Sequence, residues 1–153
     1  MRNNHKSIDD LLGIYMVGGA ILGIYGISKF IKEAWNYPAV LWMGFVFGGL
    51  YILVGVSGYY LFRFQKVKSY TILTQAVQAI GFSTFGIKYQ FCAGSSIKIG
   101  YQTNNILCKL EPINVEFTLG INPTINFFYV NIVPLIIICY LIYQINQHGL
   151  KKV

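Results

Sequence analysis

Charged side chains are scarce in this chain, and three long stretches have none. Lysine, arginine, aspartate and glutamate make up 11% of the 153 residues, whereas an ordinary soluble domain contains about 25%. The uncharged stretches are residues 11–28, 34–62 and 117–150. Each is long enough for a transmembrane helix, which needs roughly 20 mostly apolar residues. The sequence therefore predicts an integral membrane protein.

Recognisable catalytic and metal-binding patterns are also lacking. His5 and His148 lie at opposite ends of the chain, outside any cluster with metal-ligand spacing, and the cysteines Cys92, Cys108 and Cys139 are expected to be free thiols. No glycine-rich phosphate loop, GxSxG motif or catalytic carboxylate pair occurs. Ion and proton pumps normally carry an ionisable group inside the bilayer, and the three stretches have none. The sequence therefore predicts a protein that is not an enzyme, with no metal site, no cofactor and no identifiable cofactor-binding residue.

Positive charge is present, but it lies at the ends of the apolar stretches. The formal net charge is +7, and the flanking cations are Arg2, Lys6, Lys29, Lys32, Lys151 and Lys152. This placement is typical of membrane edges and not of a nucleic-acid-binding surface. After the second stretch, Arg63, Lys66 and Lys68 are expected to contact lipid head groups. The predicted partners are a lipid bilayer and other membrane subunits, with no nucleic acid, and the predicted location is a bacterial inner (plasma) membrane or an organellar inner membrane.

Residues 1–62 are predicted to form a glycine-rich transmembrane helix hairpin with spans at about 11–30 and 39–62. Gly19 and Gly23 in the first helix, and Gly44 and Gly48 in the second, have the small-xxx-small spacing that lets helix backbones approach closely in lipid. These glycines are expected to pack the two helices together. Docking of another subunit's helix on the same glycines is the alternative.

Residues 63–121 are predicted to form an amphipathic surface helix followed by a small antiparallel β-meander. From residue 85 onward, apolar and polar residues alternate with a period of two, interrupted at AGSS, QTNN and Pro112. The alternation places Phe85, Ile87, Val115 and Phe117 on one buried face, which the amphipathic helix or a partner protein would cover. A fourth span at 70–87 is the alternative to the surface helix.

Residues 122–153 are predicted to form the last transmembrane helix and a short basic tail. Asn122 is expected as the N-cap and Pro123 at the first helical position, and Pro134 is expected to kink the helix. Asn126 and Asn131 are expected to make interhelical hydrogen bonds, and a place in a substrate path is their alternative. The predicted fold class is therefore an integral membrane, mainly α protein with a proline-kinked final span.

This architecture predicts a non-catalytic accessory or structural subunit of a larger membrane complex, acting in assembly, stabilisation or lipid sealing. One alternative is a small homo-oligomeric channel or transporter. A second is a membrane-bound sensor or effector whose sheet binds a ligand.

Overall fold

The computed structural model describes residues 2–64, 68–84, 87–103, 105–121 and 125–150. This part of the chain contains four helices and a four-stranded antiparallel sheet. In chain order the elements are α1 (Arg2–Ala34), α2 (Pro38–Phe64), α3 (Lys68–Gln78), β1 (Ile80–Thr84), β2 (Ile87–Gln102), β3 (Asn105–Ile121), β4 (Phe127–Asn131) and α4 (Ile132–Leu150).

The two long helices, α1 and α2, form an antiparallel hairpin. A tight turn joins them, with a hydrogen bond of 2.8 Å from the Tyr37 amide to the Ala34 carbonyl, and Pro38 begins α2, where its missing N–H has no helical partner to lose. Both helices are long and apolar enough to cross a membrane. Only 33% of the most apolar part of α1 and 28% of that of α2 are buried within the chain, whereas the core helix of a soluble protein is mostly buried. The hairpin therefore provides two candidate membrane spans.

The strands form one sheet in the order β1-β4-β2-β3. The long strands β2 and β3 pair along almost their whole length, joined by a tight turn in which Thr103 has a φ of 42°. On its other edge, β2 pairs with β1 near Tyr89 and with β4 near Gly100, while β1 and β4 also pair with each other. The sheet thus closes on itself. The predicted meander is wrong in its strand order, because β4 from the far end of the chain lies between β1 and β2.

The β2–β3 pair contains a β-bulge. Gly94 pairs with Asn114 and Ser96 pairs with Glu111, so β3 has one more residue than β2 over this interval. The extra residue lies at Pro112 and Ile113 in β3, and Gly94 in β2 has a φ of 125°, which favours glycine. AGSS and Pro112, predicted to separate strands, therefore lie inside two continuous strands.

The bulge divides the β2–β3 pair into two halves. In the covered half, residues 89–93 pair with 115–119; in the uncovered half, residues 97–101 pair with 106–110. Alternate residues of both halves form an outer face and an inner face. The outer face of the covered half packs against the helix hairpin, where Phe47 contacts Phe91 and Phe117, and Tyr51 contacts Phe91. The α1–α2 hairpin thus covers most of this face. The amphipathic helix that the sequence indicated as its cover contacts the face through its last turn, where the Tyr89 hydroxyl donates to the Val77 carbonyl over 2.7 Å.

Two tyrosine hydroxyls join the hairpin to β2. The Tyr51 hydroxyl donates to the Cys92 carbonyl over 3.0 Å. The Tyr15 hydroxyl accepts a hydrogen bond of 2.8 Å from the Ser95 amide. Of the residues predicted to share one buried face, Val115 is half-buried and packs on the hairpin core, whereas Ile87 is exposed at the strand end. Phe117 also packs there, and Phe85 lies outside the described residues.

Helix α3 is amphipathic, and its fully buried residues are polar. Its polar residues Thr71, Gln75 and Gln78 are buried, while Tyr70 and Leu73 are exposed. The Gln78 side-chain oxygen accepts a hydrogen bond of 2.8 Å from the Ala93 amide of β2, which explains why a polar group is buried there. The alternative of a fourth span at 70–87 is wrong, because the helix ends at Gln78 and the chain continues as strand β1.

The last helix begins later than the sequence indicated. Residues 127–131, rich in aromatic and β-branched side chains, form β4, and α4 starts only at Ile132. Its apolar part, Ile132–Gln147, is shorter than the roughly 20 residues of a typical span. Pro134 lies in the first turn, where proline interrupts no helical hydrogen bond, so the predicted kink is wrong. Asn122 and Pro123 lie outside the described residues.

Candidate functional site

Three of the four glycines singled out in the sequence lie where α1 meets α2. A side chain at Gly23 would overlap the ring of Tyr51, and a Cβ at Gly44 would lie 2.7 Å from Ile31 Cγ1. Gly48 is less crowded, since its Cβ would lie 3.4 Å from the nearest side-chain atom. Gly19 has a different neighbour from the one expected: its Cβ would lie 2.6 Å from the Ala93 carbonyl oxygen of β2. It therefore serves the contact between helix and sheet.

A close approach of the two helix backbones at Gly13 and Gly58 was missed in the sequence. A Cβ at Gly13 would lie 2.6 Å from the Gly58 carbonyl oxygen, and one at Gly58 would lie 2.7 Å from Met16 Cβ. Gly13 and Gly58 are at nearly equal distances along the chain from the turn between the helices. Residues at equal distances from the turn meet in an antiparallel hairpin, and this rule would have found the pair.

Asn126 and Asn131 lie outside the helices, so neither amide can join two spans from within a span. Asn126 is exposed just before β4, and its carbonyl accepts a hydrogen bond of 3.1 Å from the Thr103 amide. Asn131 is the buried last residue of β4. Its Oδ1 accepts hydrogen bonds from the Ile97 amide at 3.0 Å and from the Val133 amide at 3.3 Å. Asn131 therefore caps α4 and connects that helix to β2.

The cations predicted to contact lipid head groups have different surroundings. Arg63 is exposed in the last turn of α2, and Lys66 lies outside the described residues. The Lys68 ammonium is largely buried: it donates to the side-chain oxygen of Gln144 and lies 3.5 Å from the Asp9 carboxylate. Lys68 is thus engaged inside the protein, contrary to the prediction.

Asp9 is the centre of a buried polar cluster that joins three helices. Its Oδ1 accepts hydrogen bonds from the Gln144 amide group at 3.0 Å and from the Tyr140 hydroxyl at 3.4 Å, in addition to the ion pair with Lys68. Because the carboxylate has several partners, its burial is compensated. The cluster fastens the N-terminal part of α1 to α3 and α4.

A polar cavity of about 300 Å³ lies against the inner face of the sheet. Such a volume is at the lower end of the range for small-molecule sites. Polar side chains make up most of the wall, and apolar ones form the remainder. The lining residues are Lys88, Gln90, Lys98, Gln102, Leu107, Lys109, Glu116, Ile125, Phe127 and Tyr129.

The cavity wall carries an ion-pair network across the bulge. The buried ammonium of Lys98 lies 2.9 Å from Glu111 and also contacts Glu116, and Lys109 pairs with the same Glu111. Desolvation opposes ionisation of Glu111, but hydrogen bonds from Lys109, Lys98 and Ser96 outweigh it and lower its pKa to about 2. Desolvation likewise opposes the charge on Lys98, and hydrogen bonds to Glu116 and Glu111 outweigh it and raise its pKa. Glu111 and Lys98 are therefore both charged at neutral pH.

Lys88 differs from the other two lysines of the cavity. Among the described residues, no carboxylate lies within ion-pair distance of it, and its ammonium lies over the Phe127 ring, 5.8 Å from the ring centre. Three ammonium groups against the two carboxylates of Glu111 and Glu116 leave one positive charge on the wall. The alternation of polar residues along β2 and β3 was visible in the sequence, but the same pattern is typical of a surface that faces solvent and does not by itself indicate a cavity. The cavity exists only because β4 closes the sheet.

The outer face of the uncovered half is a second notable surface. Ile106 and Leu110 on this face are 86% and 69% exposed, and the neighbouring Ile113 at the bulge is 76% exposed. In the described part of the chain, β3 pairs with β2 alone, so the other edge of this long strand has unpaired backbone groups. Large apolar side chains beside an open strand edge are typical of interaction surfaces.

No family model matches the sequence, and no curated protein or solved structure has significant similarity to it. In the described residues, no group of three or more histidine, cysteine, aspartate or glutamate side chains could hold a metal ion.

Proposed function

We propose that this protein is a non-catalytic accessory subunit of a larger membrane complex, anchored by the α1–α2 hairpin in a bacterial plasma membrane or an organellar inner membrane. The observation that carries the proposal is the uncovered half of the sheet. Its outer face is apolar and exposed, and it continues directly from the covered half, which already packs against helices.

An uncovered β3 is unfavourable in either solvent that could surround it. In water, each large apolar side chain left exposed forgoes about 1.5–3 kcal/mol of burial free energy. In hydrocarbon, the unpaired N–H and C=O groups of the strand edge cost several kcal/mol each. A partner that adds a strand to β3 and covers Ile106 and Leu110 removes both penalties. The expected partner is therefore a membrane protein with a free strand and an apolar surface.

A ligand-binding sensor is the second candidate, favoured by the cavity of the inner face. Asn126 and Asn131, which the channel alternative assigns to a transport path, lie just before β4 and at its end, and this placement favours the subunit over the channel.

Native cysteines allow a direct test. Cys108 is exposed on the outer face of the uncovered half, and Cys139 is exposed on α4, while Cys92 is buried. Burial raises the pKa of the Cys92 thiol to about 12, so it stays protonated and does not compete for a maleimide. The Cys139→Ser variant thus carries one reactive thiol on β3, and the Cys108→Ser variant is its matched control. Each would be labelled with benzophenone maleimide in native membranes and irradiated.

We expect the Cys108 probe to cross-link to an unlike membrane protein that also co-purifies with the unlabelled chain in a fixed ratio. The Cys139 probe should not give the same product. Purification of the chain alone, without a cross-link from Cys108, would contradict the subunit proposal. A Cys108 cross-link between two copies of the chain would replace it with a homo-oligomer.

A further inference from the structure

We infer that the inner-face cavity binds a small organic monoanion, with Lys88 as the residue that holds its charged group. The inference goes beyond the proposed function and does not depend on the identity of the partner subunit.

The charges of the cavity wall determine the sign and number of charges on the ligand. Lys98 and Lys109 share the carboxylates of Glu111 and Glu116, so these four groups nearly compensate one another. Within the described parts of the chain, Lys88 makes no ion pair, and its ammonium lies over the face of the Phe127 ring. A buried or half-buried ammonium without a carboxylate is unfavourable, and a monoanion would supply the missing partner. A dianion would exceed the single positive charge that the wall offers.

The remaining walls limit the size and the polarity of the ligand. Leu107, Ile125 and Phe127 form an apolar part of the lining, while Gln90 and Gln102 can donate hydrogen bonds. The volume of about 300 Å³ is at the lower end of the range for small-molecule sites. The ligand is therefore a short amphipathic molecule with one carboxylate or sulfonate group, and a long-chain lipid does not fit inside the cavity.

Isothermal titration of the full chain in phosphatidylcholine nanodiscs tests this assignment. The probes are hexanoate and hexylsulfonate as monoanions, hexylphosphonate as the more highly charged anion, and hexanol and hexylamine as neutral and cationic analogues. We expect saturable binding of at least one monoanion, and binding at least about tenfold weaker for hexanol and hexylamine. The better of the two monoanions identifies the head group.

Lys88→Gln should weaken monoanion binding at least about tenfold, while Lys88→Arg, which keeps the charge, should stay within about threefold of the wild type. Lys32→Gln, at an exposed lysine in the last turn of α1, is the matched control and should change nothing. Gln102→Glu adds a carboxylate to the wall with Lys88 intact, and it should abolish binding even if Lys88→Gln fails to fold.

Equal affinities for hexanoate and hexanol, or undiminished binding by the folded Lys88→Gln protein, would overturn the inference. Tighter binding of hexylphosphonate than of either monoanion would also overturn it, since the wall would then hold more than one free positive charge. None of these results affects the Cys108 cross-linking test, so the two proposals fail separately.

Discussion

The covered and uncovered halves of the β2–β3 pair carry similar apolar residues on the same outer face, but their environments differ. Phe91 in the covered half is 1% exposed and contacts Phe47 and Tyr51 of α2. Ile106 in the uncovered half is 86% exposed. The bulge at Pro112 and Ile113 separates the halves, and the outer face of the covered half is the one that packs against the α1–α2 hairpin. An apolar strand face thus becomes core only where the fold brings another apolar surface against it.

Truncation of one residue in each half should give the largest contrast. Phe91→Ala removes a ring that contacts two aromatic side chains, and we expect a loss of about 3–5 kcal/mol in the free energy of unfolding. Ile106→Ala should cost less than about 0.5 kcal/mol in the isolated protein, because its side chain has almost no neighbours to lose. Denaturant unfolding in mild detergent measures both. Equal losses would show that the uncovered half is already packed in the isolated chain.

The contact between α1 and the covered half can be broken from the helix side. Gly19→Ala would place a methyl group 2.6 Å from the Ala93 carbonyl oxygen, and the resulting overpacking should cost about 1–3 kcal/mol. Gly18→Ala is the matched control one residue away, since its Cβ would meet no atom within 4 Å. It should be neutral or stabilise the protein by up to about 1 kcal/mol through helix propensity. A neutral Gly19→Ala variant would show that helix and sheet are not tightly joined there.

The ion pairs across the bulge should make the joint between the halves sensitive to acid. The Glu111 pKa falls from its usual 4.5 to about 2 in the folded protein. Its contribution to stability is therefore complete above the unfolded value and disappears as the pH falls from about 4.5 towards 2. Glu111→Gln should lower the free energy of unfolding at pH 7 by about 0.2–1 kcal/mol, as expected for a partly exposed ion pair. This is less than the loss expected for Gly19→Ala. Glu111→Gln should also flatten the pH dependence below pH 5.

The unfolding free energy of wild type and variant, measured between pH 3 and pH 7, tests this expectation. Glu33→Gln, at an exposed carboxylate of α1, is the control for general acid effects. Parallel curves for wild type and Glu111→Gln would mean that Glu111 has no preferential interaction in the folded state.

A polar substitution on the outer face of the uncovered half should have the smallest effect on the isolated protein. Leu110→Ser removes an exposed apolar side chain, and the free energy of unfolding should change by less than about 0.5 kcal/mol. The amount of partner that co-purifies from native membranes should nevertheless fall, because the proposed interface loses apolar area. Undiminished co-purification would place the partner on another surface.

Of the candidate site, the sequence predicted only the alternation of apolar and polar residues along the strands. Lys98, Lys109 and Glu116 all lie at polar positions of apolar–polar alternating segments, and the structure places them on one face. Lys109 and Glu116 are an odd number of residues apart, so the period of two alone would separate them, and the β-bulge between them brings them to the same face. Their role in a cavity could not be predicted, because it depends on Phe127 and Tyr129 arriving from a strand that was expected to be helix. Residues 127–131 belong to an uncharged stretch, and such a stretch is compatible with a span or with a buried strand.

The alternation of apolar and polar residues in β3 shifts by one residue near Pro112, and this shift indicated a β-bulge where the sequence analysis had placed a strand end. Apolar residues occupy even positions at Cys108 and Leu110 and odd positions at Ile113 and Val115. A shift of one residue within a continuous strand is what a β-bulge produces, and the structure has the bulge at this point. The strand end predicted at Pro112 was based on the proline alone.

Local patterns in the sequence determined the two apolar helices of the hairpin, the switch to strands after α3 and the tight turn between β2 and β3. Each depends on hydrophobicity and conformational preference over a few neighbouring residues. Tertiary structure alone decided the placement of β4 between β1 and β2, the late start of α4, the burial of the polar face of α3 and the choice of which half of the β2–β3 pair is covered. These features depend on contacts between residues far apart in the chain, such as Tyr51 with Cys92 and Asp9 with Gln144, and the free energy of such contacts is not encoded in any one segment.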